Sequence, residues 1–114
     1  MKNLVTKLAA ILLLVSLSSL KVKDDLGYVT LEVSYLQTMG GTATIQNTDT
    51  GLYYYLNAVD TFDQIQVPYG NYVLVSAAAN SCNPPLISGV TTSTGYWSFV
   101  IDASNSFTIY ASCY

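Results

Sequence analysis

At 114 residues the chain has room for one domain. All four lysines (Lys2, Lys7, Lys21, Lys23) lie near the N-terminus, and from residue 24 onward seven carboxylates stand with no Lys, Arg or His. That excludes a cationic surface for nucleic acid or phosphate and an imidazole for general-base or ordinary zinc chemistry.

Residues 1–7 form a short basic region, and residues 8–20 are an apolar run ending in serines. Lys21-Val22-Lys23-Asp24-Asp25 then stops the run. This is the three-part layout of a secretory signal, with small residues at Ser16 and Ser18 for cleavage after Ser18. The run is shorter than the roughly 20 residues that cross a bilayer. Residues 1–18 are therefore expected to be a removed signal peptide or a retained apolar helix, with 19–114 as the folded domain. A type IV pilin is cut before its helix, after a small residue, and Lys7-Leu8 does not offer that junction. The expected location is secreted or cell-surface. Membrane contact is expected only through this segment during export. Removal of 1–18 leaves two lysines against seven acids.

Beyond residue 20 the apolar residues alternate with period two, and turn residues recur about every eight to twelve positions, the pattern of an all-β sandwich or barrel. The expected fold is a single antiparallel β-sandwich of seven or eight strands preceded by a short apolar N-terminal helix. The first strand, 28–36, places Val29, Leu31, Val33 and Tyr35 on one face, with Thr30, Glu32 and Ser34 on the other. Met39-Gly40-Gly41 turns the chain, and 42–46 is a short strand with Ala43 and Ile45 inward. A turn at 47–51, rich in residues that bond their own backbone, leads to 52–56 with its run of Tyr53, Tyr54 and Tyr55. Strand 62–67 is broken by Pro68-Tyr69-Gly70-Asn71, and 72–78 follows as a strongly apolar, central strand.

The paired prolines of 79–86 bar that segment from helix and ladder. Residues 87–92 form a weak strand. In 96–102 Trp97, Phe99 and Ile101 share a face, and 107–113 ends the chain with Phe107, Ile109, Ala111 and Cys113 on one face. An even cysteine count in an exported chain suggests a Cys82–Cys113 bridge. Such a bridge closes a loop of about 30 residues and stabilises by roughly 3–4 kcal/mol on the chain-entropy estimate. Two separate buried thiols are the alternative.

Residues 60–76 (DTFDQIQVPYGNYVLVS) carry an aspartate and an aromatic at a strand entry, an apolar-Pro-x-Gly-x-Tyr corner and an alternating strand. Together with Ala43-Thr44-Ile45 and the Thr50-Gly51 turn, this resembles the transthyretin-like sandwich of carboxypeptidase regulatory-like and Cna-B-type modules, over roughly residues 27–78. The resemblance implies a sandwich fold in a stalk, adhesin-repeat or pilin setting, with no active site. Many Cna-B-type modules are locked by a Lys–Asn isopeptide bond. Here the first strand has no lysine and 73–77 has no acid, so no such bond is expected.

Asp60 and Asp63 have the spacing of a calcium loop or a carboxylate pair for glycoside chemistry, and equally of turn caps at a strand entry. Asp49 stands without further spaced carboxylates, and Asp24-Asp25 marks the start of the mature chain. Serine and threonine are abundant, but no base accompanies them, so no catalysis, cofactor or metal is expected. Tyr53, Tyr54, Tyr55 and Trp97, with Tyr69 and Tyr96, form either a sugar-stacking platform or cross-strand aromatic pairs. No Asn-x-Ser/Thr occurs.

Two functions follow as expectations. The first is a structural subunit of an extracellular assembly (filament, pilus-like thread or surface coat) built from copies of itself. In it the strand bearing Val29, Leu31, Val33 and Tyr35 is added to a neighbour's sheet. A small virion protein shares that description. The second is a secreted module that binds polysaccharide or a surface through its aromatic face.

Overall fold

The alternation becomes eight strands. In a computed structural model of the chain, which describes residues 25–34 and 40–114, they are β1 (Leu26–Val33), β2 (Gly41–Asn47), β3 (Tyr53–Ala58), β4 (Phe62–Pro68), β5 (Gly70–Ala79), β6 (Ser88–Thr92), β7 (Ser98–Ile101) and β8 (Phe107–Cys113). The signal or apolar helix at 1–18, the lysines and Tyr35 lie outside the described residues.

The strands form two four-stranded sheets. The first has the order β4-β1-β8-β6 and the second β3-β2-β5-β7. Alternate residues of each strand are withdrawn from water: Val29, Leu31 and Val33 on β1, Ala43 and Ile45 on β2, and Phe107, Ile109, Ala111 and Cys113 on β8 are all buried. The buried residues of both sheets belong to one core cluster. An aromatic series runs through it. Tyr54 meets Tyr72 edge-on at 6.1 Å, Tyr72 stacks on Phe99 at 5.5 Å, and Phe99 of the second sheet stacks on Phe107 of the first at 3.7 Å. Cys82, in the segment after β5, is bonded to Cys113 at the end of β8, with Cα atoms 5.5 Å apart. The bridge thus ties the exit of the second sheet to the first.

Three expectations are corrected. The sheets are not antiparallel throughout: β1 pairs antiparallel with β4 but parallel with β8, Val29 standing opposite Phe107 and Val33 opposite Ala111. A parallel neighbour needs a long connection, and here β2 through β7 supply it. Alternation has the same period in both kinds of pairing, so it could not reveal this. Trp97 does not join Phe99 and Ile101 on a strand face; it precedes β7 and is half exposed, whereas those two are buried. Ala79 belongs to β5, opposite Gly41, and the irregular stretch starts after it. The apolar strand read as central is so, between β2 and β7, with a register shift opposite Thr44 and Ile45 at which the exposed Val75 has no partner on β2.

Candidate functional site

The polar groups of the described chain fall into two sets, those spent within the fold and those left outward. The turn from β2 to β3 shows the first. Asn47, only 3% exposed, accepts at Oδ1 from the amides of Asp49 (2.8 Å) and Thr50 (3.0 Å). Asp49 reaches across to accept from the Asn71 amide at 3.0 Å, while the Thr48 amide donates to the Asn71 carbonyl at 2.8 Å. The Pro-x-Gly-x-Tyr corner closes on the same group. The Tyr72 hydroxyl donates to the carbonyl of Pro68, four residues back, at 2.6 Å, an arrangement akin to the tyrosine corner of β-sandwich proteins. A Cβ at Gly70 would lie 3.0 Å from Asp49 Oδ2 and 3.2 Å from Asn47 Nδ2, so a side chain there crowds the junction. The amide and side chain of Asn71 hold the Asp49 carboxyl below the usual carboxylate range, and burial pushes the Tyr72 phenol up.

Two other acids are used in similar ways. Asp63 accepts from the Asn57 amide at Oδ2 (2.8 Å) and from the Gln64 amide at Oδ1 (2.9 Å). Asp102 closes its own turn on Ser104 and Asn105, whose donors lower its pKa. Asp60 sits exposed in the β3–β4 crossing and does not share a bond with Asp63. Asp102 also borders a surface hollow of about 250 Å³ between the start of β1 and the β7–β8 turn, and a second hollow of about 340 Å³ near Tyr96 and Phe107 is lined by no carboxylate.

The second set lies on the second sheet. Its four strands, GTATIQN, YYYLNA, GNYVLVSAAA and SFVI, contain no charged residue. The expected aromatic face is divided. Consecutive strand residues point to opposite sides: Tyr54 turns in toward Tyr72, while Tyr53 and Tyr55 stay 50% and 69% exposed. Trp97 adjoins β7, its carbonyl accepting from the Leu74 amide at 2.8 Å, so it stands at the far edge, about 14 Å and three strand spacings from β3. The structure brings Tyr53 and Tyr55 together and leaves Trp97 apart.

The proposed assembly strand is held in place. β1 has partners on both sides, and Val29, Leu31 and Val33 face the core. The exposed residues of the first sheet instead form polar ladders: Gln64 donates to Thr30 at 3.1 Å and Gln66 to the Tyr28 hydroxyl at 3.0 Å. Four strands are sheet edges, namely β4, β6, β3 and β7. β4 carries Asp63 and ends in Pro68, while β6 and β7 have five and four residues. Charge, proline and shortness are the devices that blunt an edge. β3 has no charge and no proline in its six residues. Sequence reading singled out its tyrosines as a surface and missed it as an edge; the signal was the uncharged run 51–59.

No family model and no curated protein sequence matches the chain. Among solved structures it is similar to a bacterial adhesin from Mobiluncus mulieris containing intramolecular disulfide, isopeptide and ester bond cross-links. The identity is 9% and the TM-score 0.47, over 76% of this chain and 40% of the adhesin chain. It is also similar to a leucine-rich repeat protein from Bacteroides thetaiotaomicron, with 12% identity and a TM-score of 0.46, over 80% of this chain and 12% of that one. At this level of similarity neither protein bears on what the chain does.

Proposed function

We propose that the chain is a structural subunit of an extracellular or cell-surface assembly, its two sheets forming the layers of a β-sandwich of the transthyretin-like kind. One observation carries the reading: the second sheet is uncharged across all four strands and ends in the edge β3, which has no charge and no proline of its own. Interspersed charge keeps monomers apart, and that sheet has none. The disulfide suits an oxidising compartment outside the cytosol. The motif that prompted the transthyretin-like reading builds the Tyr72–Pro68 corner, a structural task, in keeping with modules that serve as stalks and repeats.

The reading assigns no reaction. Of the six carboxylates among the described residues, Asp49, Asp63 and Asp102 are occupied by amide donors. Addition of β1 to a neighbour's sheet would take the form of an exchange, because β1 must first leave β4 and β8.

Electron microscopy of the purified exported protein tests the reading. Regular filaments, sheets or closed oligomers are expected. Dispersed monomers at every concentration and pH would refute it. Tyr53 and Tyr55, exposed side by side, favour a second reading, a module that stacks on polysaccharide. That reading requires a monomer that binds glycan and loses the glycan when both are replaced by alanine.

A further inference from the structure

The hydrogen-bond register of β3 determines what its edge can accept. The Asn47 amide donates to the Leu52 carbonyl at 2.8 Å. Bonded pairs recur at every second position of an antiparallel ladder, so Tyr54, Leu56 and Ala58 turn their main-chain groups toward Ile45, Ala43 and Gly41 on β2. Tyr53, Tyr55 and Asn57 therefore turn theirs away from β2. The Asn57 amide is already taken, at 2.8 Å, by Asp63 Oδ2. This leaves the N–H and C=O of Tyr53 and Tyr55 as an open stretch two pleats long, bounded by the Asp63 plug at one end. At the other end the Gly51 amide bonds the Asn47 carbonyl.

We propose that two copies of this chain pair antiparallel along β3, about a two-fold axis at Tyr54, so that Tyr53 of each copy bonds Tyr55 of the other and the two second sheets become one of eight strands. The proposal rests on the assembly reading and names its contact.

A second copy is the occupant the edge fits, for three reasons. Tyr53 opposite Tyr55 makes four main-chain bonds and uses each open group once. A pairing centred on Tyr55 would instead set Tyr53 against Asn57, whose amide Asp63 holds. A two-fold axis brings like residues near one another; 51–59 has no charge of its own to repel itself, and the two Asp63 carboxylates, each bonded to its own Asn57 amide, lie at opposite ends of the paired stretch, away from the axis. The exposed rings of Tyr53 and Tyr55 would also lie on one face as cross-strand pairs, the favoured use of aromatics on paired strands.

The test is sedimentation velocity of the whole exported chain, wild type against Tyr55→Pro, with thermal unfolding of each. The Tyr55 N–H points off the sheet, a position where proline is tolerated at an edge. The fold is thus expected to survive while two of the four bonds and the close approach are lost. The wild type is expected to dimerise and the variant to dissociate at least about tenfold more readily. Tyr53→Lys, which sets a charge on the edge without touching the main chain, is expected to do the same and decides the matter if Tyr55→Pro fails to fold. Assembly that is indifferent to both substitutions would overturn the β3 contact and leave the assembly reading standing. A wild type that stays monomeric at all concentrations would overturn both.

Discussion

Asn47 and Tyr53 are six positions apart, yet their surroundings are opposite. At the β2–β3 turn and the Pro68–Tyr72 corner, amides, carboxylate and phenol find partners within the chain. At the start of β3 the main-chain groups of Tyr53 and Tyr55 face outward with only solvent or another molecule to meet. A protein without cations in its body cannot satisfy its acids with ion pairs, and Asp49, Asp63 and Asp102 are satisfied with backbone amides instead. The four strands of the second sheet are free of charge. The corner is where the fold is stabilised, and the β3 edge is where the proposed contact between copies would form.

This contrast predicts unequal responses to tyrosine replacement. Tyr72→Ala, which removes a buried ring from the Tyr54–Tyr72–Phe99–Phe107 series, is expected to cost about 3–5 kcal/mol in denaturant unfolding. Tyr72→Phe keeps the ring and strands the Pro68 carbonyl, for about 1–3 kcal/mol. Replacing both Cys82 and Cys113 by serine is expected to cost about 2–5 kcal/mol without altering the corner, since the bridge joins the opposite end of β5 to β8. The contrast would break if Tyr55→Ala matched these losses; at an exposed edge it is expected to stay within about 0.5 kcal/mol.

Acid should act on the turns that Asp49 and Asp102 close, and salt should matter little at the edge. Asp49 and Asp102 have folded pKa values below their unfolded ones, because amide donors favour the carboxylate. Their contribution to stability is therefore complete above the unfolded value near pH 4 and is lost as pH falls through the folded values. Unfolding midpoints measured from pH 6 downward are expected to decline in that window, and Asp49→Asn is expected to flatten part of the decline. The Tyr53–Tyr55 stretch carries no formal charge, so association through it is expected to depend only weakly on salt.

Much of the architecture was legible. Phe107–Cys113 is a strand with the expected face buried, the turns at 47–51 and 103–106 fall where Asn, Asp, Gly and Ser cluster, and the break read at 68–71 narrows to a bend at Tyr69 between β4 and β5. Local signals of that kind act within a few residues. What they could not carry was the partner of each strand. The pairing of Val29 with Phe107 spans most of the chain, and nothing in either strand's alternation shows that β1 is internal and parallel to β8. The division of Tyr53, Tyr54 and Tyr55 was legible in principle, because neighbouring residues of a strand face opposite ways. Which of them faces the core depended on Tyr72, two strands away in the same sheet, whose ring Tyr54 meets on the core side. Trp97 looked like part of β7 because it shares the spacing of Phe99 and Ile101, but the strand begins at Ser98.

Amide hydrogen exchange followed across protein concentration tests the central claim most directly, since it reads both regions in one sample. The amides of Asp49, Thr50 and Asn71, bonded within the chain, are expected to be protected at every concentration. Those of Tyr53 and Tyr55 are expected to exchange freely when dilute and to become protected as concentration rises. Free exchange at Tyr53 and Tyr55 in a concentrated, assembled sample would contradict the account.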